Sequence, residues 1–398
     1  MKHSKTLKSA LRGGLLLMAL IFQNTVLAQT VTVPPMDSVE ISLLTCQPHD
    51  EVYSLYGHTA IRYHELTKDG IDAAFNYGVF NYDAPLFVIR FVFGLTDYEL
   101  GAYPTDLFQE EYRRFGSMVT EQVLNLSNQE KLLLRQALIN NLKPEHRIYR
   151  YNYFYNNCTT KARDIIERHI NGQVKYTDRE NHSPTYREMV HQMTRNHPWA
   201  RFGNDLLLGI LSDKQTSRRE QEFLPSNLLY DFDHARIYSN GSYKPLVKER
   251  RIIVPSGVQM LHGSFPLTPR QCGYVLLFAG AMLAFMQWRQ RRVFVLWDGL
   301  LTTASGIIGF VLFLMLFSQH PTVSLNFQFL FFNPVHIICL WSVLRGKAIR
   351  YWHLCIVMAV LFLIGSLFQT YAEGLYTLAL CLLVQAIIHL FIVKRNEQ

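Results

Sequence analysis

From Gly273 onward the chain is a succession of apolar stretches with short breaks, running over 273–287, 293–317, 324–344, 351–369 and 374–393. Most approach the roughly 20 residues an α-helix needs to cross a bilayer. The pattern therefore predicts a bundle of five membrane-spanning helices over 271–394. Upstream, in a block from 29 to about 268, short β-branched and aromatic runs alternate with turn-forming clusters. Val39–Leu44 reads as a strand, Thr59–Tyr63 and Ile71–Val79 as a hairpin across Lys68-Asp69-Gly70, and Met118–Leu126 as a further strand. Ser127-Asn128-Gln129-Glu130 is a capping box for a helix to about Leu142, and Tyr149–Tyr155 again reads as a strand. A helix then begins at Cys158 and stops at Asn171-Gly172. Beyond it, Tyr186–His191 and Asp205–Leu211 read as helical, followed by a polar stretch, Ser212–Glu220.

Charge orients these two blocks. Lys2, Lys5, Lys8 and Arg12 precede an apolar run, Leu15–Phe22, and a small-residue site at Val26-Leu27-Ala28. That layout is a secretory signal, 1–28, with cleavage after Ala28; an uncleaved anchor is the alternative. Gln29, not Cys, follows, so the chain is not expected to be a lipoprotein itself. Among the apolar stretches, the connections Gln287–Arg292 and Arg345–Arg350 and the tail Lys394-Arg395 are basic, whereas Ser318–Ser324 and Gln369–Gly374 hold no Lys or Arg. Five helices entered from outside put every basic connection, and the C-terminus, in the cytoplasm. An exported domain does not meet nucleic acid, so the net charge of +8 does not point to that partner. Lys244, Lys248, Arg250, Arg251 and Arg270 suit anionic headgroups or an ordinary solvated juxtamembrane stretch.

Of six cysteines, only Cys46 and Cys158 belong to the exported block. Cys158 sits in the first turn of its helix, where unpaired N–H groups and the helix dipole favour a thiolate. Ala162, Ile165 and Ile166 share its face, so a core thiol or a Cys46–Cys158 disulfide fits the same pattern. His58, after Gly57 at the start of a strand, is the candidate base, and a structural histidine is the alternative. Asn76 on the next strand is the candidate for orienting the imidazole, with Tyr77 and His64 as rivals and a turn or cap residue as the other reading. Backbone N–H groups of Cys158 and Thr159 are candidates for an oxyanion hole, and Asn157 adjoins the thiol. Asn125, Asn157 and Asn240 head weak glycosylation sequons. Asn326, Asn333 and His336 are polar groups at membrane depth, which are costly and either functional or bonded between helices. No spacing suggests a metal.

The order histidine-on-strand, then cysteine-at-helix-start, resembles the circularly permuted papain-like fold of lecithin:retinol acyltransferase. Leu43–Cys46, Tyr56-Gly57-His58-Thr59-Ala60-Ile61-Arg62, Phe75-Asn76-Tyr77-Gly78 and Asn157-Cys158-Thr159-Thr160 more closely resemble the Lnb-type bacterial lipoprotein N-acyltransferases. The resemblance implies an α+β, permuted papain-like domain in the periplasm and a transmembrane bundle in the inner membrane. It further implies a thioester on Cys158, an acyl chain taken from a membrane phospholipid, and transfer to a lipoprotein N-terminal amine, with no cofactor. Rival expectations are an exported cysteine peptidase or amidase acting on cell wall, a phospholipase or other acyltransferase, and a non-enzymatic receptor or assembly factor.

Overall fold

Val39–Cys46 is buried at every position except Glu40, as a central strand covered on both faces must be. The computed structural model places it mid-sheet and describes residues 34–396, apart from 52–53, 81–82, 178–182 and 260–264. The expected signal segment and its cleavage point lie outside the described residues. In chain order the first elements are β1 (Val39–Cys46), β2 (His58–Glu65), β3 (Asp72–Val79), α1 (Phe87–Val92), β4 (Asp97–Pro104), α2 (Thr105–Arg114) and β5 (Val119–Leu124). Then come α3 (Asn128–Asn141), β6 (Ile148–Arg150), α4 (Cys158–Arg168), β7 (Gln173–Lys175), α5 (Tyr186–Met193) and α6 (Pro198–Leu207). The N-terminal part closes with α7 (Arg218–Gln221), α8 (Pro225–His234), β8 (Arg236–Ser239), β9 (Ser242–Pro245) and β10 (Val247–Val254).

Seven strands form one antiparallel sheet in the order β10-β5-β1-β2-β3-β4-β6. Strand parity divides its side chains. Ile41, Leu43, Ile61, Tyr63, Phe75 and Tyr77 pack against α3, α4 and α8, through Leu134, Leu138, Ile166 and Phe232. Leu44, Cys46, Ala60 and Ala74 face the other way, onto Phe108 and Tyr112 of α2. The sheet thus has helices on both faces, an α+β arrangement in which the histidine strand precedes the cysteine helix. Arg62 is spent on the fold, bonding Asp72 and Glu121 at 2.6–3.0 Å.

Two local expectations fail for identifiable reasons. Only Tyr149 and Arg150 of the Tyr149–Tyr155 run are strand, at the end of β6, because Asn152 Oδ1 accepts from the N–H groups of Phe154 and Tyr155 and curls the chain. The helix read at Asp205–Leu211 instead runs Pro198–Leu207, with proline favoured at its first position.

The C-terminal helices are α9 (Pro269–Gln290), α10 (Val295–Met315), α11 (Val335–Leu344), α12 (Ile349–Gly365) and α13 (Leu375–Asn396). Among the described residues, four segments are long and apolar enough to span a membrane: Pro269–Gln290, Val295–Met315, Phe327–Leu344 and Leu375–Ile392. Ile349–Gly365 is apolar but shorter. The third is broken before Pro334, so it comprises a 3-10 turn, Phe327–Leu330, and then α11. The polar residues around that break bond within the fold: His336 bonds Tyr351 Oη and Phe331 O, and Asn333 bonds the Met358 sulfur. Of the five basic residues read as suiting headgroups or a solvated stretch, four pair with carboxylates: Lys244 with Glu130, Arg250 with Asp233, Arg251 with Glu40 and Arg270 with Glu373.

The two parts meet at a polar joint. Phe202 and Leu206 of α6 pack on the core of the bundle. Asn326 Nδ2 donates to Leu206 O, Gln328 Nε2 to Asp205 O, and Gln369 Nε2 to Leu208 O, at 2.9–3.2 Å. Behind the joint, fully buried Arg187 donates to Asp205, Asp213, Leu208 O and Ser212 Oγ. Arg187→Ala strips buried Asp205 of its guanidinium partner, leaving His191, and frees Asp213, a loss on the order of 3 kcal/mol. We expect thermal unfolding in detergent to shift down by several degrees and Arg187→Lys not to restore it, because ammonium lacks the planar fork.

Candidate active site

Gly57 delivers the chain into β2 with φ of +77°, and a Cβ there would lie 2.6 Å from Cys46 O. Only glycine enters the strand this way, and His58 follows at its first position. Pairing of β2 with β3 runs from His64↔Asp72 to Ile61↔Phe75. Past it, β3 carries an irregularity between Asn76 and Val79. In that region His58 Nε2 bonds Asn76 Oδ1 at 2.8 Å. The imidazole lies over Gly78, where a Cβ would meet His58 Cε1 at 2.6 Å.

The proton on the ring follows from the backbone. Gly78 N–H donates to the same Asn76 Oδ1 at 2.7 Å, which fixes that atom as the oxygen. His58 Nε2 must therefore be the protonated nitrogen in the neutral ring, which leaves Nδ1 as the acceptor for a thiol. Asn76, not its rivals, holds this place. Tyr77 points to the opposite face of the sheet, where its hydroxyl accepts from Asn141 Nδ2, and His64 lies far along β2 beside Asp72.

Cys158 is brought to His58 by its cap. Asn157 Oδ1 accepts from Thr159 and Thr160 N–H at 3.0 and 2.9 Å, while its amide donates to Tyr153 O and Phe223 O. Every polar atom of this buried side chain is used, so Asn157 positions the helix start and its amide is not available to a sugar. One residue on, Thr59 Oγ1 donates to Thr159 Oγ1 at 3.1 Å, tying the neighbour of the histidine to the neighbour of the cysteine. The cap corrects one expectation: Thr159 N–H is committed to Asn157 and does not face an oxyanion. Cys158 N–H, first in the helix, has no intrahelical acceptor by position.

Burial resists charging the Cys158 thiol, but His58 nearby and in hydrogen-bond contact overcomes it and lowers the pKa to about 7. Burial likewise opposes charge on His58, yet the Cys158 sulfur, then Asn76, raise its pKa above the ordinary value. The two shifts have one meaning: each charged form stabilises the other. Cys46 is also a free thiol, on β1 directly opposite His58, with its pKa pushed well up by burial. The structure therefore holds no Cys46–Cys158 disulfide.

These groups open on a cavity of about 190 Å³, walled by Tyr56, Phe80, Tyr98, Tyr151, Tyr153 and Phe223. Tyr98 and Tyr151 stack with centroids 4.0 Å apart. Gln47 and Glu111 are polar members of the lining. Glu111 has its pKa raised by burial, against the pull of His58 and Arg114. Sequence reading missed Glu111 and most of this wall; the aromatic alternation from Tyr149 to Tyr155 was the available signal.

Residues 31–192 match the family model described as the Lnb N-terminal periplasmic domain, and residues 261–397 match the Lnb transmembrane domain. The chain belongs to the Lnb family. No curated protein and no solved structure gives a significant match. As an Lnb protein it carries a periplasmic N-terminal domain and a C-terminal transmembrane domain, the layout of an inner-membrane protein. The segment 193–260, between the two matches, contributes Phe223 to the cavity and α6 to the joint.

Proposed function

We propose that this Lnb protein is a lipoprotein N-acyltransferase that works through a thioester on Cys158. The observation that carries the reading is the line of Asn76, His58 and Cys158 at an aromatic cavity, in a chain with its own membrane bundle. His58 Nδ1 takes the thiol proton, and the thiolate attacks an ester carbonyl of a glycerophospholipid. Cys158 N–H, which has no intrahelical acceptor, receives the oxyanion, and Gln47 lines the same cavity. As the carbon–oxygen bond breaks, the His58 proton goes to the glycerol oxygen, leaving an acyl thioester and a lysophospholipid. The α-amine of a diacylglyceryl-cysteine then attacks the thioester, His58 accepts its proton, and the Cys158 thiolate leaves. Asn76 keeps the imidazole in the productive tautomer throughout. Basic connections face the cytoplasm, so the C-terminus is cytoplasmic and the thiol acts at the periplasmic leaflet.

Expression in a host lacking lipoprotein N-acylation tests the acceptor. Lipoproteins are expected to gain one fatty acyl chain, seen by mass spectrometry of their N-terminal peptides. Free fatty acid accumulating with no third chain would instead identify a phospholipase, and cleaved wall peptides a peptidase.

A further inference from the structure

Aromatic rings continue from the cavity to the end of the bundle. Phe80, a wall of the cavity, stacks on Phe87 of α1 at 5.2 Å, and Phe87 lies 6.3 Å from Phe91. Phe91 is 6.1 Å from Tyr151, again a cavity wall, and 6.2 Å from His320. His320 belongs to the segment joining α10 to the broken third span, so it marks one boundary of the membrane-spanning region. That segment grips α1 by its backbone. Ser318 Oγ donates to Val92 O at 2.8 Å, Gln319 N–H to Phe93 O at 2.9 Å, and His320 Nε2 to Phe91 O at 3.0 Å. α1 is therefore fixed at the level where the bundle leaves the bilayer.

Its two faces differ. Phe87 and Phe91, four apart, turn toward the rings of the cavity, while Leu86 and Ile89, three apart, are 68% and 52% exposed. Leu86 also holds φ of +55°, a left-handed backbone disfavoured for a bulky side chain. A strained leucine at the helix start and an isoleucine within it, both exposed, are costly in water and at home in hydrocarbon.

We infer that α1 is the lipid portal of the site. Leu86 and Ile89 dip into the adjoining leaflet, and one acyl chain of a membrane glycerophospholipid lies along Phe91, Phe87 and Phe80 with its ester carbonyl at Cys158. This deepens the acyltransferase reading and rests on it for the reaction, but the docking of the chain is testable separately.

The full chain is placed in nanodiscs of phosphatidylethanolamine and phosphatidylglycerol containing a phospholipid with a diazirine near the end of one acyl chain. After irradiation, carbene adducts are expected on the peptide holding Leu86–Phe93 as well as on the spans. Adducts on the spans with none on that peptide would overturn the portal, whatever the activity. In Leu86→Glu/Ile89→Glu, thioester formation from membrane phospholipid is expected to fall by about tenfold or more. Acyl transfer from water-soluble p-nitrophenyl butyrate to Cys158 should stay at the wild-type rate, which also certifies the fold. Parallel loss with both donors, or loss with neither, would count against the portal. If the unaltered protein takes acyl from neither donor, the thioester reading fails while the labelling still decides the docking.

Discussion

Cys158→Ser is expected to remove the acyl-enzyme and to lower N-acyl transfer by roughly 10⁴-fold or more. Two features of the site produce so large an effect from one atom. The pocket sustains a thiolate near neutral pH, with the thiol pKa lowered to about 7, whereas a serine hydroxyl beside the same histidine stays protonated because an alcohol is intrinsically a far weaker acid than a thiol. The acyl carrier must also leave again when the amine attacks, and a thiolate is a far better leaving group than an alkoxide. Intact-mass measurement of protein taken from lipid-replete membranes checks this. The unaltered chain should carry a fatty acyl adduct released by neutral hydroxylamine, absent from Cys158→Ser and Cys158→Ala. An adduct persisting in Cys158→Ala would place the chemistry elsewhere, and a Cys46–Cys158 disulfide in freshly alkylated protein would end the catalytic reading.

His58→Gln should lower acyl transfer by about 10²–10⁴-fold and change the pH dependence of the thiol itself. The sign follows from the shifts. In the unaltered protein the Cys158 pKa is depressed, so alkylation by iodoacetamide should rise with pH through a midpoint near 7 and fall off below it. His58, whose pKa is raised by the same pairing, keeps its positive charge beside the thiolate over part of that range. Without His58, burial is opposed only by the hydrogen bonds from Thr59 N–H and the Thr159 side chain, and the midpoint should move up from about 7. A midpoint unchanged in His58→Gln would mean that the helix start alone activates the thiol.

How much of this was legible in the sequence depends on how locally each feature is encoded. The helical bundle is written in runs of apolar residues, and the break in its third span in Pro334. His58 and Cys158 carry local signatures, a glycine before a strand and a capped helix start. The third residue was ambiguous among Asn76, Tyr77 and His64, because pattern alone does not assign strand faces. Strand parity turns Tyr77 into the core beneath α4, and His64, on the same face as His58, lies six residues along β2 beside Asp72, so Asn76 is the rival that bonds the imidazole. Glu111 was not legible because α2 comes to the face of His58 and Asn76 only through tertiary packing. Likewise the alternation of Tyr149–Tyr155 imitates a strand until the Asn152 side chain claims the backbone donors.

The joint of Asn326, Gln328, Gln369 and α6 carries a consequence for selectivity. These amides bond backbone atoms of the periplasmic part directly, at hydrogen-bond length and largely sealed from water. A thiol carried on such a mount keeps one altitude above the lipid, like a tool on a fixed stand. On the proposed reaction, choice among esters would then be partly a matter of elevation: a carbonyl at the wrong depth would be passed over even when its headgroup is right.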